Sequence, residues 1–229
     1  MTTFYDSFAK RKKTKLGSFF VEKTFEKLSK IIAEFSPVKI LEIGIGNGIL
    51  YEHLKMQIPS IEYTGIEPSN ALYEKAKSKN INAIKCFVPP FPPILEKGSF
   101  DMVIISHVLE HFRDYREILD VFCGINDLLK QNGKLLLFHP CALDWGKDFY
   151  DCDYSHSYFT TKNRTENLLL DSGFRIIKQD SYRACFNNFK WFFYIISKLV
   201  NCFAFFSIKM RITFKKNLLT VAEKYEKTR

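Results

Sequence analysis

A chain of 229 residues has the length of one ordinary domain and can bury a sizeable core. Its formal net charge is +9, with basic residues bunched at Lys10, Arg11, Lys12, Lys13 and Lys15 and again at Lys209, Arg211, Lys215 and Lys216; such clusters are solvated faces or contacts for nucleic acid or anionic lipid. The six cysteines are scattered with no C-x-x-C pair, which speaks against a zinc site or disulfide framework and for a reducing setting.

The first residues, Met1-Thr2-Thr3-Phe4-Tyr5-Asp6, lack the apolar core of a secretory leader, so the chain is expected in the cytoplasm. Phe19, Phe20, Phe25, Leu28, Ile31, Ile32 and Phe35 recur at helical spacing with Lys and Glu between them. They predict an N-terminal helical segment within 1–36, closed by Ser36-Pro37. An apolar run over 38–43 then stops at the alternate glycines Gly44, Gly46 and Gly48. It resumes as a helical pattern through Leu50, Tyr51 and Leu54 toward Pro59. Strand, glycine turn and helix in that order bring backbone N–H groups close to a nucleotide. Gly takes positive φ and puts no Cβ between ligand and main chain; taken alone, a G-x-G-x-G is also compatible with a plain turn.

Residues 61–66 read as a second strand ending in Glu67-Pro68-Ser69. Glu67 lies about twenty residues past the glycines, the spacing of an acid that accepts hydrogen bonds from ribose hydroxyls. Its alternative is a charge at the start of a helix over 70–79. A third strand over 81–87 precedes Pro89-Pro90-Phe91-Pro92-Pro93, and 100–106 is a continuous apolar strand buried on both faces. That strand runs into His107-Val108-Leu109-Glu110-His111-Phe112. A helix over 115–130, stopped by Gln131-Asn132-Gly133, leads to a fifth strand over 134–139. A polar and aromatic loop, 141–158, precedes a helix capped by Thr160 or Thr161 and ended by Asp171-Ser172-Gly173. A sixth strand follows over 174–181, then seven phenylalanines within 186–206, then a last strand over 217–224. Such alternation implies right-handed crossovers and a parallel sheet.

Together these stretches resemble the class I S-adenosylmethionine-dependent methyltransferases, particularly the small single-domain enzymes that act on small molecules, lipids and quinones. The likeness covers about 39–173 and, for the last strand, 217–224. It rests on Leu41-Glu42-Ile43-Gly44-Ile45-Gly46-Asn47-Gly48, on Tyr63-Thr64-Gly65-Ile66-Glu67-Pro68-Ser69, and on Ser99-Phe100-Asp101 with Ser106-His107-Val108-Leu109-Glu110-His111. Leu128-Leu129-Lys130-Gln131-Asn132-Gly133-Lys134-Leu135-Leu136 and His156-Ser157-Tyr158-Phe159-Thr160 continue it.

The resemblance implies an α/β fold: a Rossmann-like, seven-stranded, mostly parallel sheet with helices on both faces and the last strand antiparallel. A helical insertion (about 184–212) would precede that strand, all within a single domain, 1–229. It also implies S-adenosylmethionine as cofactor. Glu42, Gly44, Gly46 and Gly48 would form the turn under its methionine part, Glu67 would hold the ribose, and Ser106 and His107 would end strand four beside it. Many relatives carry an Asp after strand three, near the adenine. Here Lys85-Cys86-Phe87-Val88 stands instead, so backbone groups and apolar contact with Phe87 are expected to hold the ring.

Methyl transfer from a sulfonium is an in-line displacement of an activated methyl, so the site must chiefly bring nucleophile and methyl together away from water. An acceptor that begins protonated also needs a base, and imidazole titrates near neutrality. Among His107, His111, His139 and His156, the loop residue His156 is the first choice and His107 the second. His111 has a capping or packing alternative and His139 a structural one. Tyr5, Tyr154 and Tyr158 either close over the ligands or belong to the core. No carboxylate cluster shows metal-ligand spacing, so no metal is expected.

On a helix, Lys190, Tyr194, Ser197, Lys198 and Asn201 share one narrow stripe, and the two lysines argue against a spanning segment. Residues 186–206 are then a helix in a membrane interface, a lid over an apolar acceptor, or a helix pair packed on the sheet. The expected partner is a small-molecule, lipid-like or sugar acceptor. The basic ends leave an RNA or protein methyltransferase as an alternative, but no nucleic-acid module or Pro-Pro-Tyr-type signature accompanies them, so nucleic acid is not expected. A NAD-dependent oxidoreductase would need Gly where Ile49 stands. A non-catalytic cofactor-binding protein completes the alternatives.

Overall fold

The computed structural model describes residues 15–184, 190–202 and 208–225. Seven strands form one sheet: β1 (Lys39–Ile43), β2 (Glu62–Ile66), β3 (Ala83–Ile84), β4 (Phe100–Ser106), β5 (Leu129–Pro140), β6 (Phe174–Arg183) and β7 (Lys216–Lys224). Their order is β3-β2-β1-β4-β5-β7-β6. Strand β7 runs antiparallel to β5 and β6, and the other neighbours are parallel. This is the Rossmann-like, mostly parallel sheet that the sequence implies.

The helices are α1 (Lys15–Ala33), α2 (Ile49–Gln57), α3 (Asn70–Ser78), α4 (Tyr115–Leu128), α5 (Ala142–Trp145), α6 (Asp148–Asp151), α7 (Lys162–Asp171), α8 (Lys190–Cys202) and α9 (Ile208–Thr213). Residues 1–14 of the predicted N-terminal segment, with Tyr5 and most of the first basic cluster, lie outside the described residues.

Both faces of the central strands are apolar, and the period of two divides them between two cores. Leu41, Ile43, Val103, Ile105, Leu135 and Leu137 pack toward α4 and α7. Ile40, Met102, Ile104, Leu136 and Phe138 pack toward α1 and α2. At the start of the sheet, Asp101 fixes β1 against β4: its Oδ2 accepts from Val38 N–H at 3.0 Å and Lys39 N–H at 2.7 Å. Successive crossovers run outward from β1 and β4 in opposite directions, so a crevice opens beyond the carboxyl ends of these two strands.

Two predicted boundaries shift. The third strand covers only Ala83–Ile84 rather than 81–87, because β3 is an edge strand paired to β2 alone and the chain then turns into the proline-rich loop. The Gln131-Asn132-Gly133 stop lies inside β5. Helix α4 ends at Leu128, Leu129 already pairs with Phe100, and Asn132 takes a left-handed φ of 60° before the main ladder begins at Lys134. Two helical turns, α5 and α6, interrupt the stretch read as an irregular loop.

The insertion before β7 packs through one side. Phe193, Ile196 and Val200 of α8 meet Ala184, Phe214 and Phe20. Ser197 is buried on that side, whereas Trp191, Phe192, Tyr194, Ile195 and Leu199 are exposed. Of the polar stripe read from the sequence, Ser197 therefore faces the protein, while Tyr194 and Lys198 share the solvent face with apolar side chains. Arg211 and Lys215 of the second basic cluster are committed to Asp148, at 2.7 and 3.5 Å, rather than left solvated. No helix among the described residues is long and apolar enough to cross a membrane.

Candidate active site

The turn after β1 lies at the crevice. Gly44, Gly46 and Gly48 have φ of 84°, 58° and 72°, a region that L-residues with a Cβ rarely occupy. Gly44 N–H donates to the Ile66 carbonyl at 2.8 Å, which ties the turn to the end of β2. Glu67 completes the tie. Its Oε2 accepts from Gly46 N–H and its Oε1 from Ser69 N–H, each at 2.9 Å. Glu67 is buried, and burial raises its pKa despite those two donors. A carboxylate has about four acceptor positions, so two remain for hydroxyl groups arriving from the crevice.

Glu42, on β1 just ahead of Gly44, is almost wholly buried. The Tyr63 hydroxyl donates to its Oε2. Burial pushes the Glu42 carboxyl up to about 8, with the Glu67 charge adding and the Tyr63 hydrogen bond opposing. Through the Tyr63 hydrogen bond it ties β1 to β2 just ahead of the turn. The folded chain then holds a proton that the unfolded chain releases above the ordinary carboxylate pKa. Stability from this group is full below that pKa and is lost as pH rises through about 8. Glu42→Gln keeps an acceptor for Tyr63 and mimics the protonated acid. Thermal melts of the two proteins should therefore diverge in favour of the variant between about pH 5 and 8, by at most about 1.4 kcal/mol per pH unit. A gap that stays constant over this range refutes the assignment.

Across the crevice, β4 ends at Ser106, whose buried Oγ has no hydrogen-bond partner among the described residues. His107 follows with φ of 54°, costly for an imidazole-bearing residue. Its N–H donates to the Phe138 carbonyl at 2.8 Å and its ring stands edge-on to Phe138, 5.2 Å between centroids. The side chain is 40% exposed, and Nδ1 lies 3.4 Å from Oε1 of Glu110, which is 1% exposed. Burial pulls the Glu110 carboxyl up, but His107, through its hydrogen bond and charge, with His111 and His156 adding, outweighs it and holds the group at about 2. Glu110 belongs to the motif at the end of strand four but receives no role from the sequence, although its position three residues after His107 carries the signal.

The other expected residues separate. Phe87 is 78% exposed beyond β3, a free ring rather than part of a closed pocket. His139 is buried, with Nδ1 3.0 Å from the Pro140 carbonyl and Nε2 3.4 Å from Thr165 Oγ1, the structural role. Burial lowers its pKa. Tyr158 belongs to the core, whereas Tyr154 is exposed. His156 is buried beside His111, with ring centroids 4.9 Å apart, and burial likewise lowers its pKa. The loop therefore brings His156 to Glu110 and His111.

A crevice at the switch point of an open α/β sheet, floored by left-handed glycines and flanked by an acid after β2, defines a nucleotide-type cofactor site. The sequence model of the methyltransferase-domain family matches residues 13–179, and the chain belongs to that family. An uncharacterized methyltransferase of Alkaliphilus oremlandii is 28% identical over 116 residues, 51% of this chain and 52% of that protein. A demethylmenaquinone methyltransferase of Thermotoga maritima is 24% identical over 112 residues, 49% of this chain and 48% of that one. The chain thus spans about half the length of the curated relatives it matches. An S-adenosylmethionine-dependent methyltransferase from Archaeoglobus fulgidus has the same fold, with a TM-score of 0.68 at 19% identity over 97% of this chain and 100% of that one.

The cofactor of this family is S-adenosylmethionine, and the crevice fits it. A Cβ on Gly46 would meet nothing within 4 Å, so the main chain there is open to a ligand. Glu67 has acceptor capacity to spare, and the Ser106 hydroxyl lacks a partner among the described residues.

Proposed function

We propose that the chain transfers the methyl group of S-adenosylmethionine to a small, lipid-like acceptor. The observation that carries the transfer is the pairing of the glycine turn with His107, held against the buried Glu110 carboxylate at the neighbouring strand end. When bound, the cofactor supplies a methyl on a positively charged sulfur. Glu67 and the turn hold the nucleoside and methionine parts, and Ser106 Oγ donates to a cofactor polar atom. Phe87 offers its ring to the adenine.

His107 Nδ1–H points its proton at Glu110, which leaves Nε2 as the basic nitrogen for the acceptor proton. We assign the base to His107 rather than to His156, because His107 is open to the crevice whereas His156 is buried. An apolar acceptor is supported by the outward face of α8, where Trp191 is 67% exposed with Phe192, Ile195 and Leu199 beside it. That face suits contact with a lipid surface or a lipid-like acceptor. The Thermotoga maritima relative, a demethylmenaquinone methyltransferase, supports an acceptor of the quinone kind.

The reading is tested with S-adenosylmethionine carrying a labelled methyl, supplied with extracted lipids and reduced quinones. Label should enter the organic phase with wild-type protein. His107→Asn, which tolerates the left-handed backbone, should slow it by about 10²–10⁴-fold while cofactor binding persists. Label entering only water-soluble acceptors would overturn the lipid-like assignment. An unchanged rate in His107→Asn would remove the base.

A further inference from the structure

We propose that Glu110, His111 and His156 form a binding site for one divalent transition-metal ion, with Zn²⁺ the best match. One donor atom from each lies within 4.8 Å of the others. The three come from two separate stretches: Glu110 and His111 from the helical turn Leu109–His111 after β4, His156 from the loop before α7. The main chain holds the stretches together, since the Glu110 carbonyl accepts from Ser157 N–H at 2.9 Å and Tyr158 N–H at 3.1 Å.

The hydrogen-bond pattern fixes which nitrogens carry the lone pairs. The Ser155 hydroxyl donates to Asp153 Oδ1 at 2.6 Å, so toward His111 Nδ1, 2.9 Å away, its oxygen acts as acceptor. His111 Nδ1 therefore carries the proton and Nε2 the lone pair. His156 Nδ1 faces the Phe149 carbonyl, which can only accept, so its lone pair is on Nε2 as well. Metal-binding histidines characteristically give their second ring N–H to a carboxylate, carbonyl or similar acceptor in this way. Here a Ser-to-Asp relay serves one and a carbonyl the other.

The carboxylate is the independent pointer. Glu110 is 1% exposed, its Oε1 faces His107, and its buried Oε2 has no hydrogen-bond partner among the described residues. A buried carboxylate oxygen without a donor is costly, and a cation between it and two imidazole lone pairs removes that cost. Two imidazoles and one carboxylate suit Zn²⁺ and its first-row neighbours rather than Mg²⁺ or Ca²⁺, which prefer oxygen donors. Tetrahedral bonds of about 2.0–2.1 Å put donors about 3.3 Å apart. Modest side-chain rotation closes the triad to that spacing. Three protein donors leave a coordination position open, as in catalytic zinc sites. Beside His107, that position suits an oxygen of the methyl acceptor. This last step rests on the methyl-transfer reading, whereas binding of the ion does not.

The test titrates chelator-treated, full-length protein with Co²⁺, read by visible d–d absorption and by calorimetry, then displaces it with Zn²⁺. Saturable binding of about one ion per chain is expected. Glu110→Gln and His111→Ala should each weaken it by more than about tenfold, and Ser155→Ala, which offers the ion no donor, by about tenfold through loss of the relay. Circular dichroism checks that each variant is folded, and the half-buried His111 position secures one that is. Failure of folded wild type to bind Co²⁺ saturably overturns the site. Equal affinity in Glu110→Gln and His111→Ala also overturns it, placing the ion on thiols elsewhere. S-adenosylmethionine titration of the same samples separates this failure from failure of the methyltransferase reading, because the glycine turn and Glu67 lie outside the triad.

Discussion

Glu67→Ala is expected to weaken S-adenosylmethionine binding by about 10- to 150-fold in calorimetric titration. One carboxylate does two jobs here. It accepts from Gly46 and Ser69 N–H and so pins the glycine turn to the end of β2. In the proposed cofactor complex its remaining acceptor positions take ribose hydroxyls. Hydrogen bonds to a charged group contribute about 1.5–3 kcal/mol each, and loss of a single one already gives the expected range. Glu67→Gln keeps one backbone acceptor and should fall between wild type and alanine. NADH, titrated separately, should not bind, since Ile49 takes the place of the third dinucleotide glycine. Unchanged affinity for S-adenosylmethionine in Glu67→Ala would remove Glu67 from the cofactor site, and NADH binding in its place would favour an oxidoreductase.

The parts of the site legible in the sequence are those held by local backbone geometry. Gly44, Gly46 and Gly48 announce themselves because only glycine takes successive positive φ at so little cost, and Glu67 because the intervening helix fixes its spacing. Ser106 and His107 are legible from the end of an unbroken apolar strand. Element ends that depend on partners are not: the edge strand β3 shrinks to two residues, and β5 starts at Leu129 because Phe100 offers it a pairing partner. The Glu110–His111–His156 cluster is invisible to spacing rules, since the two histidines lie far apart in the chain and only the folded loop brings them together. The solvent face of α8 is also a tertiary outcome. Ser197 is polar yet lies on the side that meets Ala184 and Phe214, so polarity along the helix does not reveal which side the sheet edge occupies.

The glycine turn gives the second large effect, and it separates binding from stability. Gly46→Ala and Gly44→Ala both force a side chain into left-handed φ, at about 1–2 kcal/mol each. Beyond that cost the two positions differ. A Cβ on Gly46 meets nothing within 4 Å, so Gly46→Ala should melt only a few degrees lower; in the turn proposed to hold the cofactor, the added methyl should cost most S-adenosylmethionine affinity. A Cβ on Gly44 lands 2.3 Å from Val108 Cγ2, and β-branched Val108 has little rotamer freedom to retreat. Overpacking of this kind costs about 1–3 kcal/mol further. For a chain of this size Gly44→Ala should therefore lower the melting midpoint by about 5–15 °C. The clash is removable: Val108→Ala deletes the obstructing methyl, so the Gly44→Ala/Val108→Ala pair should recover the steric part of the loss and retain the backbone part. A double-mutant cycle measures that recovery as a coupling energy. Strict additivity would mean that Val108 does not limit the turn, and the close packing between the ends of β1 and β4 would then not be what holds the glycines in place.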